Sequence, residues 1–262
     1  MGKFYLICAY VLVTILGLCV GSFLNVVIYR LPKKMSLAKP ASHCPKCTYQ
    51  LRWYDNVPVL SYIMLRGRCR KCKERISFRY TIVELACAVL WLLCALLFWK
   101  QSIPLAIIYM LSLAVFICIF FIDLEHMIIP DRFQVILLVL AALSIFFDKD
   151  CGWLSHLIGG LSGFLVFYLI AFCFEKLCGR EGLGGGDVKL AGVVGLLLGW
   201  ERLLLGLLIA TLPAAVIMLI LSKGKNGENR EFPFAPFLVI GFGVSMLFGA
   251  QIIDWYISLF GL

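Results

Sequence analysis

The sequence predicts an all-α polytopic membrane protein with about eight transmembrane helices and a small zinc-binding cytoplasmic loop domain between the first and second. Three observations predict it. Of 262 residues, 62% are hydrophobic and only 15% charged, whereas a soluble domain is nearer half apolar. Apolar runs of spanning length recur along most of the chain. Basic charge is concentrated in one stretch: residues 30–80 hold 13 Lys or Arg against Asp55 and Glu74, a net +11 in a chain whose total is +9.

The expected spans are 4–28, 81–99, 104–122, 133–147, 153–174, 188–200, 203–221 and 234–253. The first is longer than a signal-peptide apolar region, has only Lys3 ahead of it and lacks an A-x-A-like site, so it reads as a retained span. The fourth and sixth have about 15 and 13 residues, short of the ~20 that a crossing helix needs. Thin local bilayer or inward-drawn polar ends accommodate such spans. Residues 222–231 (SKGKNGENRE) read as a polar, mobile connector. No internal repeat is evident.

The basic stretch sets the expected orientation. With it on the cytoplasmic side, the N-terminus is outside, and eight spans place 20 Lys and Arg inside against Lys3, Lys100, Lys149 and Arg202 outside. That asymmetry follows the positive-inside rule, and dropping one weak span would spoil it. A basic patch also fits nucleic-acid binding, but in a membrane protein the cytoplasmic loop is the simpler reading. No nucleic acid is expected as a partner.

Cys8, Cys19, Cys87, Cys94, Cys118 and Cys173 fall in apolar runs and read as small hydrophobes. Cys44-Pro-Lys-Cys47, 21 residues and Cys69-Arg-Lys-Cys72 are different. Each CxxC grips a metal from one turn, and four thiolates close a tetrahedral zinc site with no open position, hence a structural one. Basic flanks favour thiolate. The rival is a redox CxxC, for which one pair would suffice and no βαβ context exists. A loop of about 50 residues is too small to build its own core, so the metal would fold it.

Asp123 closes the third span and Asp187 opens the sixth, after Gly182, Gly184, Gly185 and Gly186. Two spans fit in the 64 residues between them, so both return to the same face. Glycines let another backbone approach closely, which suits a site holding an extended peptide. Two neighbouring carboxylates share a proton, one acting as base and the other as acid. Glu125 and His126 either tune Asp123 or are solvated at the interface. Lys189 either pairs with Asp187 or marks the inner boundary. Asp131, Glu201 and Asp254 read as solvated helix ends.

These residues resemble the type IV prepilin peptidase (leader peptidase/N-methyltransferase) family. The matching segments are Gly21 to Pro32, the two CxxC units, Leu51 to Ser61, Arg66 to Cys72, Ile122 to Asp131 and Gly185 to Leu190. The resemblance implies an intramembrane aspartyl protease of the bacterial cytoplasmic membrane, with Asp123 and Asp187 as the catalytic pair. It implies prepilin or pseudopilin substrates, cleavage after a Gly at the cytoplasmic face, and methylation of the new N-terminus by S-adenosylmethionine. It divides the chain at residue 100. Residues 1–100 carry two spans and the methyltransferase-associated zinc loop (30–80), and residues 101–262 the peptidase domain. Gly67, Asn25, Arg79 and Glu84 are candidates for the cofactor site, although no Rossmann-type glycine fingerprint is present. Departures are Thr81 where Pro is common and Ala235 where Gly is usual, both expected to lie off the aspartates. A proton-coupled transporter would instead carry mid-span carboxylates and repeated halves.

Overall fold

A computed structural model describes residues 2–179, 182–223 and 232–259. Among these, regular structure is helical, with two isolated β-bridges and no strand. The chain separates into two compact units, residues 1–100 and 101–262.

The first unit has two long helices, α1 (Gly2–Arg30) and α3 (Arg79–Phe98), packed against each other. The loop joining them holds a 3-10 turn (Trp53–Asn56) and a short helix, α2 (Leu60–Met64). Arg30 ends α1 and is buried. Its guanidinium donates to the carbonyls of Ser36, Leu37 and Pro40, which folds the first turn of the loop back over the helix end. A guanidinium with five fixed donors is well suited to gathering several carbonyls.

The second unit contains α4 (Ile103–His126), α5 (Asp131–Phe147), α6 (Trp153–Cys178), α7 (Gly185–Leu198), α8 (Trp200–Lys223) and α9 (Ala235–Leu259). Ser102 caps α4, its side chain accepting the Leu105 N–H, with Pro104 in the first turn. Met127 closes the same helix in the left-handed conformation.

Each of the eight expected spans coincides with a helix. Six are long and apolar enough to cross a membrane: α1, α3, α4, α6, α8 and α9. The protein is a multi-pass membrane protein. The two short spans remain short, α5 at 17 and α7 at 14 residues. At 1.5 Å per residue, α7 is about 21 Å long, against ~30 Å of hydrocarbon. Its surroundings explain this. It packs on α5, α6, α8 and α9, and eight of its fourteen residues are buried, so most of its surface meets protein. The α6–α7 contact is close. A Cβ on Gly159 would collide with the carbonyl of Gly195, and one on Gly163 would sit 2.5 Å from that of Ala191. Two of the long helices continue well past the apolar windows that located them, α9 to Leu259 and α6 to Cys178. Of the expected connector, residues 224–231 lie outside the described residues.

Candidate functional site

Asp123 lies in the last turn of α4 and is buried, 5% exposed. Its carbonyl accepts the Met127 N–H at 2.9 Å, and its carboxylate accepts a hydrogen bond from the backbone N–H of Ala235, the first residue of α9. Position 235 therefore touches the aspartate, contrary to expectation. Its backbone does so, and alanine there keeps the N–H that a glycine would supply.

Asp187 is the third residue of α7, capped by Gly184, and is half-buried. A carboxylate in a helix's first turn is favoured by the exposed N–H groups there, and Asp187 accepts a hydrogen bond from the Gly184 N–H. Its Oδ1 is buried and has no hydrogen-bond partner in the protein. The two aspartates lie close enough for the charge of Asp123 to act on Asp187. Sequence counting expects them on one face, and the fold brings them within electrostatic reach of each other.

Two neighbours hold the glycine loop. Gln134, buried in the first turn of α5, donates from Nε2 to the Gly186 carbonyl at 3.1 Å. Ile129 lies against Gly186, where an added Cβ would come within 3.0 Å of the Ile129 Cβ. Sequence reading missed Gln134. Its signal was a lone polar side chain at the start of an apolar run. Lys189 pairs with Asp131 at 2.7 Å on the surface, so its carboxylate partner is not Asp187. Asp131 is exposed, though not solitary. Glu125 and His126 are exposed.

In the first unit the four loop cysteines converge. Their sulfurs all lie within 4.8 Å of one another, with Cys44 to Cys72 and Cys47 to Cys69 both 3.9 Å. Four thiolates at ~2.3 Å from a tetrahedral zinc are about 3.8 Å apart, so the cluster fits that ion. The two CxxC turns are copies of one hairpin, 25 residues apart. Cys44 N–H donates to the Tyr49 carbonyl, Thr48 N–H to Cys44, and Leu51 N–H to Ser42; Cys69 donates to Glu74, Lys73 to Cys69, and Ile76 to Gly67. Thr48 and Lys73 both have positive φ, 54° and 60°. This repeat is chiefly one of hydrogen bonding; in residue identity it shows only in the cysteines and in Lys46 and Lys71. Backbone N–H groups of Cys72 and Lys71 lower the Cys69 thiol to about 7, and the same bonds would stabilise a metal-bound thiolate. Asp55, buried under the loop, accepts from the Arg70 guanidinium at 2.8 Å and from the Arg52 N–H. It ties the 3-10 turn to the second hairpin.

The four candidates for the methyl-donor site have structural tasks. Glu84 accepts the Val59 N–H at 2.8 Å, Asn25 donates to the Gly21 and Tyr80 carbonyls, and the Arg79 guanidinium lies 5.6 Å from the Tyr80 ring. Gly67 (φ +66°) occupies a hairpin position where a Cβ would meet the Tyr62 hydroxyl at 2.9 Å. These contacts fix the loop to α1 and α3.

Residues 15–98 match the family described as the bacterial peptidase A24 N-terminal domain, and residues 110–219 match the type IV leader peptidase family. A prepilin leader peptidase/N-methyltransferase of Pseudomonas putida is 33% identical over 274 residues, covering 95% of this chain and 94% of that protein. One from Pseudomonas aeruginosa is 34% identical, covering 97% and 95%. One from Myxococcus xanthus is 41% identical, covering 83% of this chain and 65% of that protein. No solved structure matches the chain.

Proposed function

The chain belongs to the type IV leader peptidase family, and from that premise we propose that it removes the leader peptide of prepilins or pseudopilins with Asp123 and Asp187 and then N-methylates the new terminus. The observation that carries the peptidase reading is the meeting of these two carboxylates at helix ends, beside a glycine loop.

The roles follow from ordinary acid–base chemistry. Two adjacent carboxylates hold one proton between them and titrate as a unit. The ionised member takes a proton from water as its oxygen attacks the scissile carbonyl carbon. The protonated member gives its proton to the carbonyl oxygen. A proton then passes to the leaving nitrogen as the C–N bond breaks. The Ala235 N–H favours the ionised form of Asp123, which suits the base. Asp187, whose buried Oδ1 has no protein donor, suits the acid. A helical substrate shields its peptide carbonyls, so the leader junction must unwind, and a Gly before the cut eases that.

The four-cysteine cluster would hold one structural zinc through Cys44, Cys47, Cys69 and Cys72. Cleavage belongs to residues 101–262, and methyl transfer involves the loop unit, residues 1–100, with S-adenosylmethionine as donor. The protein lies in a bacterial cytoplasmic membrane, with the N-terminus outside and both the loop and the aspartates at the cytoplasmic face. The supporting observation is the asymmetry of Lys and Arg.

Purified protein incubated with a prepilin and labelled S-adenosylmethionine reports the two activities separately. The expected result is a shortened pilin that carries label only after cleavage. Label appearing on uncleaved precursor, or no shortening, contradicts the reading.

A further inference from the structure

A second cluster of metal-ligand side chains lies in residues 101–262, away from the aspartates. Asp148 caps the end of α5, Cys151 sits in the α5–α6 connection, and His156 is in the first turn of α6. Ligand atoms of the three all lie within 4.8 Å of one another. His156 is fully buried. Its Nδ1 is 3.0 Å from the Leu196 carbonyl, an acceptor, so Nδ1 carries the proton and Nε2 presents a lone pair. Nε2 is buried and has no hydrogen-bond partner. Metal-bound histidines are held in this way, one nitrogen donating to a carbonyl while the other faces the ion. Leaving a buried nitrogen unsatisfied is costly.

The surroundings complete the case. Asp148 is buried; its Oδ2 takes Arg202 at 2.9 Å and the Tyr109 hydroxyl at 3.1 Å, and its Oδ1 takes the N–H groups of Asp150 and Cys151. Such contacts orient a ligating carboxylate. The Cys151 sulfur lies 3.8 Å from the Leu198 carbonyl. Arg202 also faces Asp150 at 3.5 Å. Two carboxylates and a thiolate would balance the guanidinium and a divalent ion.

We propose that Asp148, Cys151 and His156 form a second metal site, for a zinc-class divalent cation, at the end of α7 opposite the aspartate pair. Mixed nitrogen, sulfur and oxygen donors select zinc over magnesium or calcium. Ligands on zinc stand roughly 3.3–3.8 Å apart, so the cluster closes by up to about 1.5 Å on binding. Three protein ligands leave a fourth position for water. The ion would staple the end of α5 to the start of α6. Leu196 and Leu198, which meet His156 and Cys151, lie 9 and 11 residues along α7 from Asp187, about 14–17 Å at the helical rise.

Metal analysis of full-length protein loaded with zinc and desalted tests this. About two zinc ions per chain are expected. About one is expected in Cys151→Ser, in His156→Gln, and in a variant with all four loop cysteines changed to Ser. One zinc in the native chain and none in the four-serine variant would overturn the proposal. Because the four thiols also hold the loop together, cobalt spectra of the native chain, Cys151→Ser and His156→Gln provide a second reading, with the loop intact in all three. Loss of a single-thiolate tetrahedral component in both variants supports the site, and three identical spectra refute it.

Discussion

Two charged pairs in the second unit differ in burial, and their consequences differ accordingly. Asp148 and Arg202 are almost fully enclosed, 0% and 6% exposed in their side chains. Removing one partner strands the other in low dielectric, at a cost of about 3–5 kcal/mol. Arg202→Met should therefore lower the melting temperature sharply. Asp131 and Lys189 are exposed, and such pairs contribute below about 1 kcal/mol. Asp131→Asn should melt within a degree or two of the native protein and keep its peptidase activity. Equal melting shifts in the two variants would contradict this assignment of burial. Gln134→Leu removes the donor to the Gly186 carbonyl; cleavage should fall by about tenfold or more, while thermal stability changes little. Asp123 and Asp187 were legible because carboxylates at the ends of apolar runs, one of them behind glycines, stand out in a sequence. The Arg202 partnership was not. It depends on which helix ends meet, and residue 202 alone looked like a loop charge.

The elements were legible because a membrane demands long apolar helices, and even the two short ones showed as weakened runs. Why they are short became visible only in packing, since α7 spends its surface on protein. The α6–α7 approach gives a sharp test. Gly163→Leu must drive side-chain atoms into the Ala191 carbonyl, so overpacking should cost at least about 1–3 kcal/mol and reduce cleavage with it, read by melting and by prepilin processing. Native melting and processing in that variant would contradict the contact. The paired hairpins of the loop were half legible. Cysteine spacing revealed two turns, whereas their common hydrogen-bond pattern was hidden because Thr48 and Lys73 hold positive φ without being glycines. Both hairpins close on one cluster. Chelation, or Cys44→Ser, should thus unfold the loop and abolish methylation, leaving most Asp-dependent cleavage. Full methylation after complete zinc removal would exclude a structural metal.

At the scale of the molecule, orientation is carried by charge. Arg202, expected among the outer charges, is enclosed in an ion pair, so the proposed orientation rests on Lys3, Lys100 and Lys149 as its outer basic residues. A reporter fused after Ser222 should read as cytoplasmic and one fused after Lys149 as external. The reverse result at Ser222 would mean that α5 or α7 does not cross. If one pair of carboxylates performs the cleavage, single-turnover processing of a prepilin by Asp123→Asn, Asp187→Asn and the double variant will reveal it. Asparagine keeps size and removes the titratable proton. Each single change should slow cleavage by about 10²–10⁴-fold, and the double change should be little worse than either, because groups acting as a unit are not additive. Near-native processing by both single variants would contradict the account.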